Sequence, residues 1–262
     1  MKTPIAIIVL ILLGGCSSPG PGEQVWVDDG LANELDGYWL YLPRTYQDDK
    51  EWPVLVYLVG GDMAAGPNPR TAKDEGPIRY ALSSSDEQLK HYVLDSFIII
   101  HPHMTTGPRE QRQWGQHADA IIHIMDQVAE KYHGNKSKVT ITGASKGGHG
   151  SWDVAKKHPS RFNKIIPISG RINCNEDCKA LLNKPIWIIH NDGDQQVESV
   201  YSKSAVQWFE DQSVLFNSVN NMNLPSSELT NQQLFTLFPK DGHDAWGEAY
   251  SSPQLYQWIL RD

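Results

Sequence analysis

Lys138-Val-Thr-Ile-Thr-Gly-Ala-Ser-Lys-Gly-Gly-His-Gly-Ser-Trp-Asp153 is the stretch on which the reading of this chain turns. Its first five residues are rich in β-branched side chains and read as a short buried strand. The stretch from Gly147 to Lys156 opens on small residues and reads as a helix. Between them stands Gly143-Ala-Ser-Lys-Gly147, a G-x-S-x-G pentapeptide. A strand, a sharp turn with serine at its apex and then a helix is the context that makes this pattern a nucleophile elbow. Gly143 and Gly147 leave room where strand and helix backbones nearly touch. Ser145 then sits exposed in a strained geometry, beside helix N-terminal amides that favour negative charge.

Around this core, apolar strand-like runs alternate with amphipathic helical ones, the pattern of a mainly parallel α/β sheet with helices on both faces. Strands are predicted over 37–42, 54–59, 96–101, 138–142, 164–168, 185–190 and 234–238. Ile121, Ile124, Met125, Val128 and Tyr132 form one helical stripe ahead of the elbow, which is core packing. Trp208, Phe209, Leu255, Trp258 and Ile259 read the same way. Residues 211–233 are polar and Asn/Ser-rich, longer than a usual connection, and read either as a disordered surface insertion or as part of a lid. No internal repeat or inter-domain linker interrupts the chain.

The N-terminus reads as a processing signal. Lys2 supplies positive charge, 5–13 is an unbroken apolar run too short to span a bilayer, and Leu13-Gly-Gly-Cys16 follows. That ending resembles the bacterial lipobox, which implies cleavage before Cys16, lipidation of its thiol and stable membrane anchoring. Ser17, where inner-membrane retention usually calls for Asp, implies outer-membrane sorting in a bacterial cell envelope. The domain plan is therefore a signal peptide over 1–15, a flexible tether over 16–24 and one catalytic domain over 25–262. The net charge is −8 and no basic cluster is present, which excludes nucleic acid as an expected partner. Cys174 and Cys178 are spaced C-x-x-x-C in a hydrophilic loop. In an oxidising compartment they most simply form a local disulfide; a metal site would need further ligands, and a redox dithiol is more often C-x-x-C.

A serine nucleophile needs a base within hydrogen-bond reach, and that base needs an orienting carboxylate. Both are sought in loops at the carboxyl ends of later strands. Pro185-Ile-Trp-Ile-Ile-His190 feeds Asn191-Asp-Gly-Asp-Gln-Gln-Val197, and Leu234-Phe-Thr-Leu-Phe238 feeds Pro239-Lys-Asp-Gly-His-Asp-Ala-Trp246. Of ten histidines, His243 alone follows a glycine, lies just beyond a strand and precedes the last helix. Asp192 and Asp194 share the acid loop. Asp194 is favoured, because Asp192-Gly193 reads as a turn pair that aims Asp192 at its own backbone. Asp241 and Asp244 flank the histidine too closely to orient it.

Almost end to end, the chain resembles the secreted esterases of the α/β-hydrolase superfamily grouped with feruloyl esterases, polyhydroxybutyrate depolymerases and predicted peptidases. Tyr41-Leu-Pro-Arg-Thr-Tyr46 looks like that group's first strand and loop, and Trp52-Pro-Val-Leu-Val-Tyr-Leu-Val-Gly-Gly61 like its oxyanion strand. Trp114 with the long helix, the elbow, the acid loop, whose spacing matches Asp194, and Gly242-His-Asp-Ala-Trp246 complete the match. The resemblance implies an α/β-hydrolase fold and a Ser145–His243–Asp194 triad acting through an acyl-enzyme on an ester, such as an acylated carbohydrate or a polyester, without metal or cofactor. Oxyanion donors are expected at the backbone N–H of Lys146 and of either Gly61 or Asp62. Trp114, His149 and Trp246 are candidate substrate-lining residues. Two departures stand out: Val59-Gly60 replaces the group's usual His-Gly, and Lys146 replaces an apolar residue, either to attract an acidic substrate or to pair with a local carboxylate. A serine peptidase on the same triad, or a non-catalytic glycan-binding lipoprotein on this scaffold, are the alternative functions.

Overall fold

The computed structural model describes residues 18–28, 35–61, 73, 75–104, 113–230 and 232–261. The described strands are β1 (Gln24–Val27), β2 (Leu35–Tyr41), β3 (Trp52–Leu58), β4 (Ile98–Met104), β5 (Gly134–Ala144), β6 (Lys164–Ile168), β7 (Ile186–Gly193), β8 (Asn217–Val219) and β9 (Gln233–Asp241). They form one sheet in the order β1-β2-β4-β3-β5-β6-β7-β9-β8. β1 and β2 pair antiparallel, as do β2 and β4; every other pairing is parallel. The helices are α1 (Pro77–Ser83), α2 (Glu87–Ser96), α3 (Ala118–Tyr132), α4 (Lys146–Lys157), α5 (Val200–Asp211), α6 (Ala245–Tyr250) and α7 (Pro253–Leu260). This is the α/β-hydrolase architecture that the elbow and the alternating pattern led us to expect.

Each predicted strand is present, with bounds shifted by local causes. β4 and β6 are buried along their whole length, as strands covered on both faces must be, so their apolar runs are continuous rather than alternating. The stripe on α3 is buried from Ile121 to Tyr132. His133, with φ 54°, ends that helix in the left-handed region, and β5 starts at the next residue, five positions before its buried apolar run begins at Val139.

Two strands lie outside the sequence reading. β1 is a half-buried edge whose Trp26 packs edge-on against Trp39, ring centroids 5.5 Å apart. Its approach is held too: the Gly22 amide donates to the Leu42 carbonyl (2.9 Å), and Pro19 is buried. From Pro19 onward, the stretch expected to be a free tether is laid against the sheet edge. β8 falls inside 211–233, which is neither a disordered insertion nor a lid. Phe216, Met222, Leu224 and Leu229 are buried there, and Asn217, Ser218 and Val219 pair with Leu234, Phe235 and Thr236 at the start of β9. The Arg261 guanidinium donates to the Ser226 carbonyl (2.8 Å), tying the segment to the C-terminal end of α7. The segment therefore closes a sheet edge, at the end of β9 opposite His243. Among the described residues, no helix is long and apolar enough to cross a membrane.

Candidate active site

β5, β7 and β9 run parallel, so the loops at their carboxyl ends meet on one side of the sheet, where open α/β sheets gather their functional residues. Ser145 follows β5, Asp194 follows β7, and His243 stands two residues beyond β9. The Ser145 Oγ lies 2.7 Å from His243 Nε2, and His243 Nδ1 lies 2.6 Å from Asp194 Oδ2. Residues 98 and 49 positions apart thus share one continuous hydrogen-bonded line.

Ser145 holds φ 55° and ψ −115°, a conformation that side-chain-bearing residues rarely adopt. The Ser145 amide donates to the Ile168 carbonyl of β6 (2.9 Å), which fixes one side of the turn. On the other side Gly147 packs so closely on β3 that a Cβ would run into the Leu58 carbonyl. Gly147→Ala is therefore expected to destabilise the fold by about 3 kcal/mol, the upper range for overpacking against a backbone that cannot yield. A thermal melt checks it, with Tm expected to fall by roughly 6–12 °C for a chain of this size.

The turn after β3 is seated against the same elbow. Gly60 lies where a Cβ would be 2.6 Å from the Ala144 carbonyl and 3.1 Å from Ser145 Cβ. Gly61 follows with φ 59° and open space around it. Its backbone thus runs immediately past the nucleophile, opposite the first turn of α4, where Lys146 begins the helix half-buried. Asp62, the other candidate donor on this turn, lies outside the described residues. The Val59-Gly60 departure leaves this backbone arrangement in place, and an indole takes over its support: Trp114 Nε1 donates to the Val59 carbonyl (3.1 Å). Trp114 is only 1% exposed and packs on Gly150 of α4. It braces the turn from beneath and does not line the site, as had been expected of it.

The other two lining candidates do border the serine and histidine. Trp246 is half-buried and meets the His243 ring edge to face, centroids 5.1 Å apart at 87°. His149 is half-buried with Nδ1 2.8 Å from the Ser145 carbonyl, and burial holds its pKa below the usual histidine value.

Asp194 has a fully buried carboxylate. Burial alone would raise its pKa, but hydrogen bonds from His243 and from the Val197 and Gln196 amides outweigh it and hold the group below the ordinary aspartate value. Those amides lie 3.0 and 2.9 Å from Oδ1. An ionised acid facing an imidazole N–H is what a tautomer-fixing role requires. Asp192 is turned elsewhere: its Oδ1 accepts from Lys203 Nζ and from Ser199 Oγ, and the Lys203 bond lowers its pKa. Asp192 and Gly193 still belong to β7. The expected turn pair is thus replaced by a strand end whose carboxylate braces α5.

Sequence reasoning passed over two further residues. Asn191 is buried, and its Nδ2 donates to the Gly242 carbonyl (2.9 Å), tying the histidine loop to β7. His190 is buried with Nε2 3.2 Å from Asp194 Oδ2. The i,i+4 spacing of His190 and Asp194 served in the sequence to pick out the acid, and the contact between the two side chains is what it left unread.

The structure does not show the expected disulfide: Cys174 and Cys178 are free thiols in contact with each other, Cys178 carried by a 3-10 helix, Glu176–Leu181. That contact raises the Cys174 pKa and lowers that of Cys178. Cys16 lies outside the described residues.

A family model described as "Putative esterase" matches residues 37–229. No curated protein matches the chain. Among solved structures, a thermostable esterase superposes with a TM-score of 0.65 at 18% identity over 91% of this chain; the chain spans 62% of that protein's length. The feruloyl esterase module of Clostridium thermocellum, complexed with sinapinate, superposes with a TM-score of 0.62 at 14% identity, over 94% of this chain and 92% of that one. A fluorophosphonate-binding serine hydrolase of Staphylococcus aureus gives 0.59 at 15% identity, over 93% of this chain and all of the other. At these identities the superpositions speak for the fold, while the family match extends over most of the catalytic region, elbow and acid loop included. The chain belongs to the Esterase family, whose activity is the hydrolysis of carboxylic esters.

Proposed function

We propose that the protein is a serine ester hydrolase in which Ser145 is the nucleophile, His243 the general base and acid, and Asp194 the group that holds the imidazole tautomer. The observation that carries this reading is the unbroken line from Asp194 Oδ2 through His243 to Ser145 Oγ, at 2.6 and 2.7 Å. With Nδ1–H directed at Asp194, the Nε2 lone pair faces the serine hydroxyl. As Ser145 Oγ bonds to the ester carbonyl carbon, its proton passes to Nε2. The carbonyl oxygen becomes an oxyanion between the backbone N–H of Lys146 and that of Gly61, at the positive end of α4. His243 returns the proton to the departing alcohol oxygen, leaving an acyl-enzyme. Water then attacks the acyl carbon and passes a proton to Nε2; as the bond to Ser145 Oγ breaks, Nε2 returns that proton to Oγ, releasing the carboxylic acid and the free serine.

The proposed substrate class is an acylated carbohydrate, in keeping with feruloyl esterases among the structural neighbours. Half-buried Trp246, beside His243, offers a flat apolar face on which an aryl or sugar ring can stack. A panel of acetyl, feruloyl and simple aryl esters, with matched amides as controls, tests the assignment. Turnover of esters with none of amides is expected; amide turnover at comparable kcat/KM would make it a peptidase.

The proposal includes an envelope location, with Cys16 acylated after removal of 1–15 and with Cys174 and Cys178 closing into a bond under oxidising conditions. Intact-mass analysis of the protein recovered from bacterial membranes is expected to show acyl chains on the N-terminal peptide. Alkylation without reductant should leave Cys174 and Cys178 unmodified. A soluble mature form starting elsewhere would refute the anchor, and two alkylated thiols would refute the bond.

A further inference from the structure

His190 lies in the carboxyl-terminal half of β7, on the buried side of the acid loop, and three groups surround its ring. Nε2 lies 2.8 Å from the Val197 carbonyl and 3.2 Å from Asp194 Oδ2, while Nδ1 lies 2.7 Å from Ser202 Oγ at the start of α5. His190 and Ser202 are both fully buried. The two oxygens facing Nε2 can only accept, so that nitrogen carries the proton, and Nδ1 is left to accept from the Ser202 hydroxyl. The Val197 carbonyl and Asp194 Oδ2 thereby select the tautomer in which the His190 N–H is aimed at the acid loop, and Ser202, donating to Nδ1, holds the ring in that setting. Burial, which depresses the His190 pKa, keeps the ring in this neutral form.

The clamp acts on Asp194 at two points. The Asp194–Val197 turn is closed from within by the Gln196 and Val197 amides on Oδ1. His190 holds the far end of that turn through the Val197 carbonyl and stands against Oδ2, the same oxygen that receives His243. A carboxylate buried this deeply can swing only if these partners release it, and a small rotation of Oδ2 would tilt His243 away from Ser145.

We propose that His190, set by Ser202, is a positioning residue that fixes the Asp194 carboxylate in the orientation His243 requires, extending the line Asp194–His243–Ser145 inward by two side chains. This inference rests on the triad assignment above. It concerns an interaction at the acid, remote from the space a substrate would occupy, so its loss is expected in kcat rather than in KM.

The test measures kcat and KM on an activated aryl ester for the wild type, His190→Leu, His190→Gln and Ser202→Ala, with thermal melts of each. Leu removes the donor at Nε2, whereas Gln presents an amide N–H at nearly the same place. His190→Leu is expected to lose on the order of 10-fold in kcat, because the Val197 carbonyl loses its buried donor and Oδ2 its polar neighbour, with KM within about twofold. His190→Gln should recover most of that loss, and Ser202→Ala should fall between, about 3- to 10-fold down in kcat. Equal losses in the Leu and Gln variants would mean that the ring acts only by packing and would overturn the proposal, as would a loss carried by KM. Should the Leu variant fail to fold, Ser202→Ala decides: reduced kcat at unchanged KM supports the role, and wild-type kcat overturns it. Fluorophosphonate labelling of the wild type separates the two levels. Labelling at Ser145 with unaffected variants overturns this proposal alone; no labelling at Ser145 overturns it together with the triad reading.

Discussion

Ser145→Ala is expected to reduce kcat for an activated short-chain ester on the order of 10⁵- to 10⁶-fold, as loss of the nucleophile does when the triad acts as a unit. The fold should survive. The elbow is held by backbone contacts that do not involve the hydroxyl: the Ser145 amide on the Ile168 carbonyl, and Gly147 against Leu58. The serine side chain makes one hydrogen bond within the line, to His243, whose side chain is 10% exposed and can take a water instead. A change of about 1 kcal/mol or less follows, and a Tm within roughly 4 °C of wild type. Steady-state kinetics and a melt on the same preparation check both halves. Wild-type-like turnover in the variant would remove Ser145 from the mechanism.

Asp194→Asn is expected to cost up to about 10⁴ in kcat while the protein stays folded. The asparagine can keep its oxygen on the Gln196 and Val197 amides, which directs its NH2 at His243 Nδ1. That donor forces the imidazole proton onto Nε2, so the ring faces Ser145 with an N–H and can no longer accept the serine proton. The charge that stabilises the imidazolium is lost as well. Asp192→Asn removes instead a carboxylate that serves Lys203 and Ser199 on the far side of the strand end, and about tenfold or less is expected. The reverse ranking at equal thermal stability would make Asp192 the acid.

How much of this was legible in the sequence follows from how local each signal is. The elbow is contiguous, and its glycines, strand and helix all fall within 138–156, so pattern alone locates it. The order of Ser145, Asp194 and His243 was legible because each follows a strand with a clear apolar run, and parallel strands deliver their loops to one side. The two missed strands lacked such runs. β1 has four residues, and β8 has three set in an Asn/Ser-rich stretch whose buried anchors, Phe216, Met222, Leu224 and Leu229, follow neither a period of 2 nor one of 3.6. Trp114 was a lining candidate beside His149 and Trp246, with core packing as the alternative, and its burial decides for the core. Its actual partner, the Val59 carbonyl, lies 55 residues away. His190 looked like the last residue of a buried strand, and its role emerges only when the acid loop folds back to bring Val197 and Ser202 around it. Contacts of this kind depend on loop geometry, for which composition and periodicity carry no signal.

The cysteine pair teaches the same lesson at shorter range. A spacing of four placed the two sulfurs together, but whether they bond depends on the pair's own reduction potential set against that of its surroundings, which spacing does not reveal.

The central claim, that Ser145 is an activated nucleophile within a working triad, is tested most directly by covalent labelling. Purified wild-type protein is treated with a fluorophosphonate, digested, and mapped by mass spectrometry beside Ser145→Ala and Asp194→Asn. The account predicts one adduct, on the peptide that contains Ser145; it should be absent from Ser145→Ala and form far more slowly in Asp194→Asn. An adduct on a different serine, or an active wild type that takes up no label at Ser145, would contradict it.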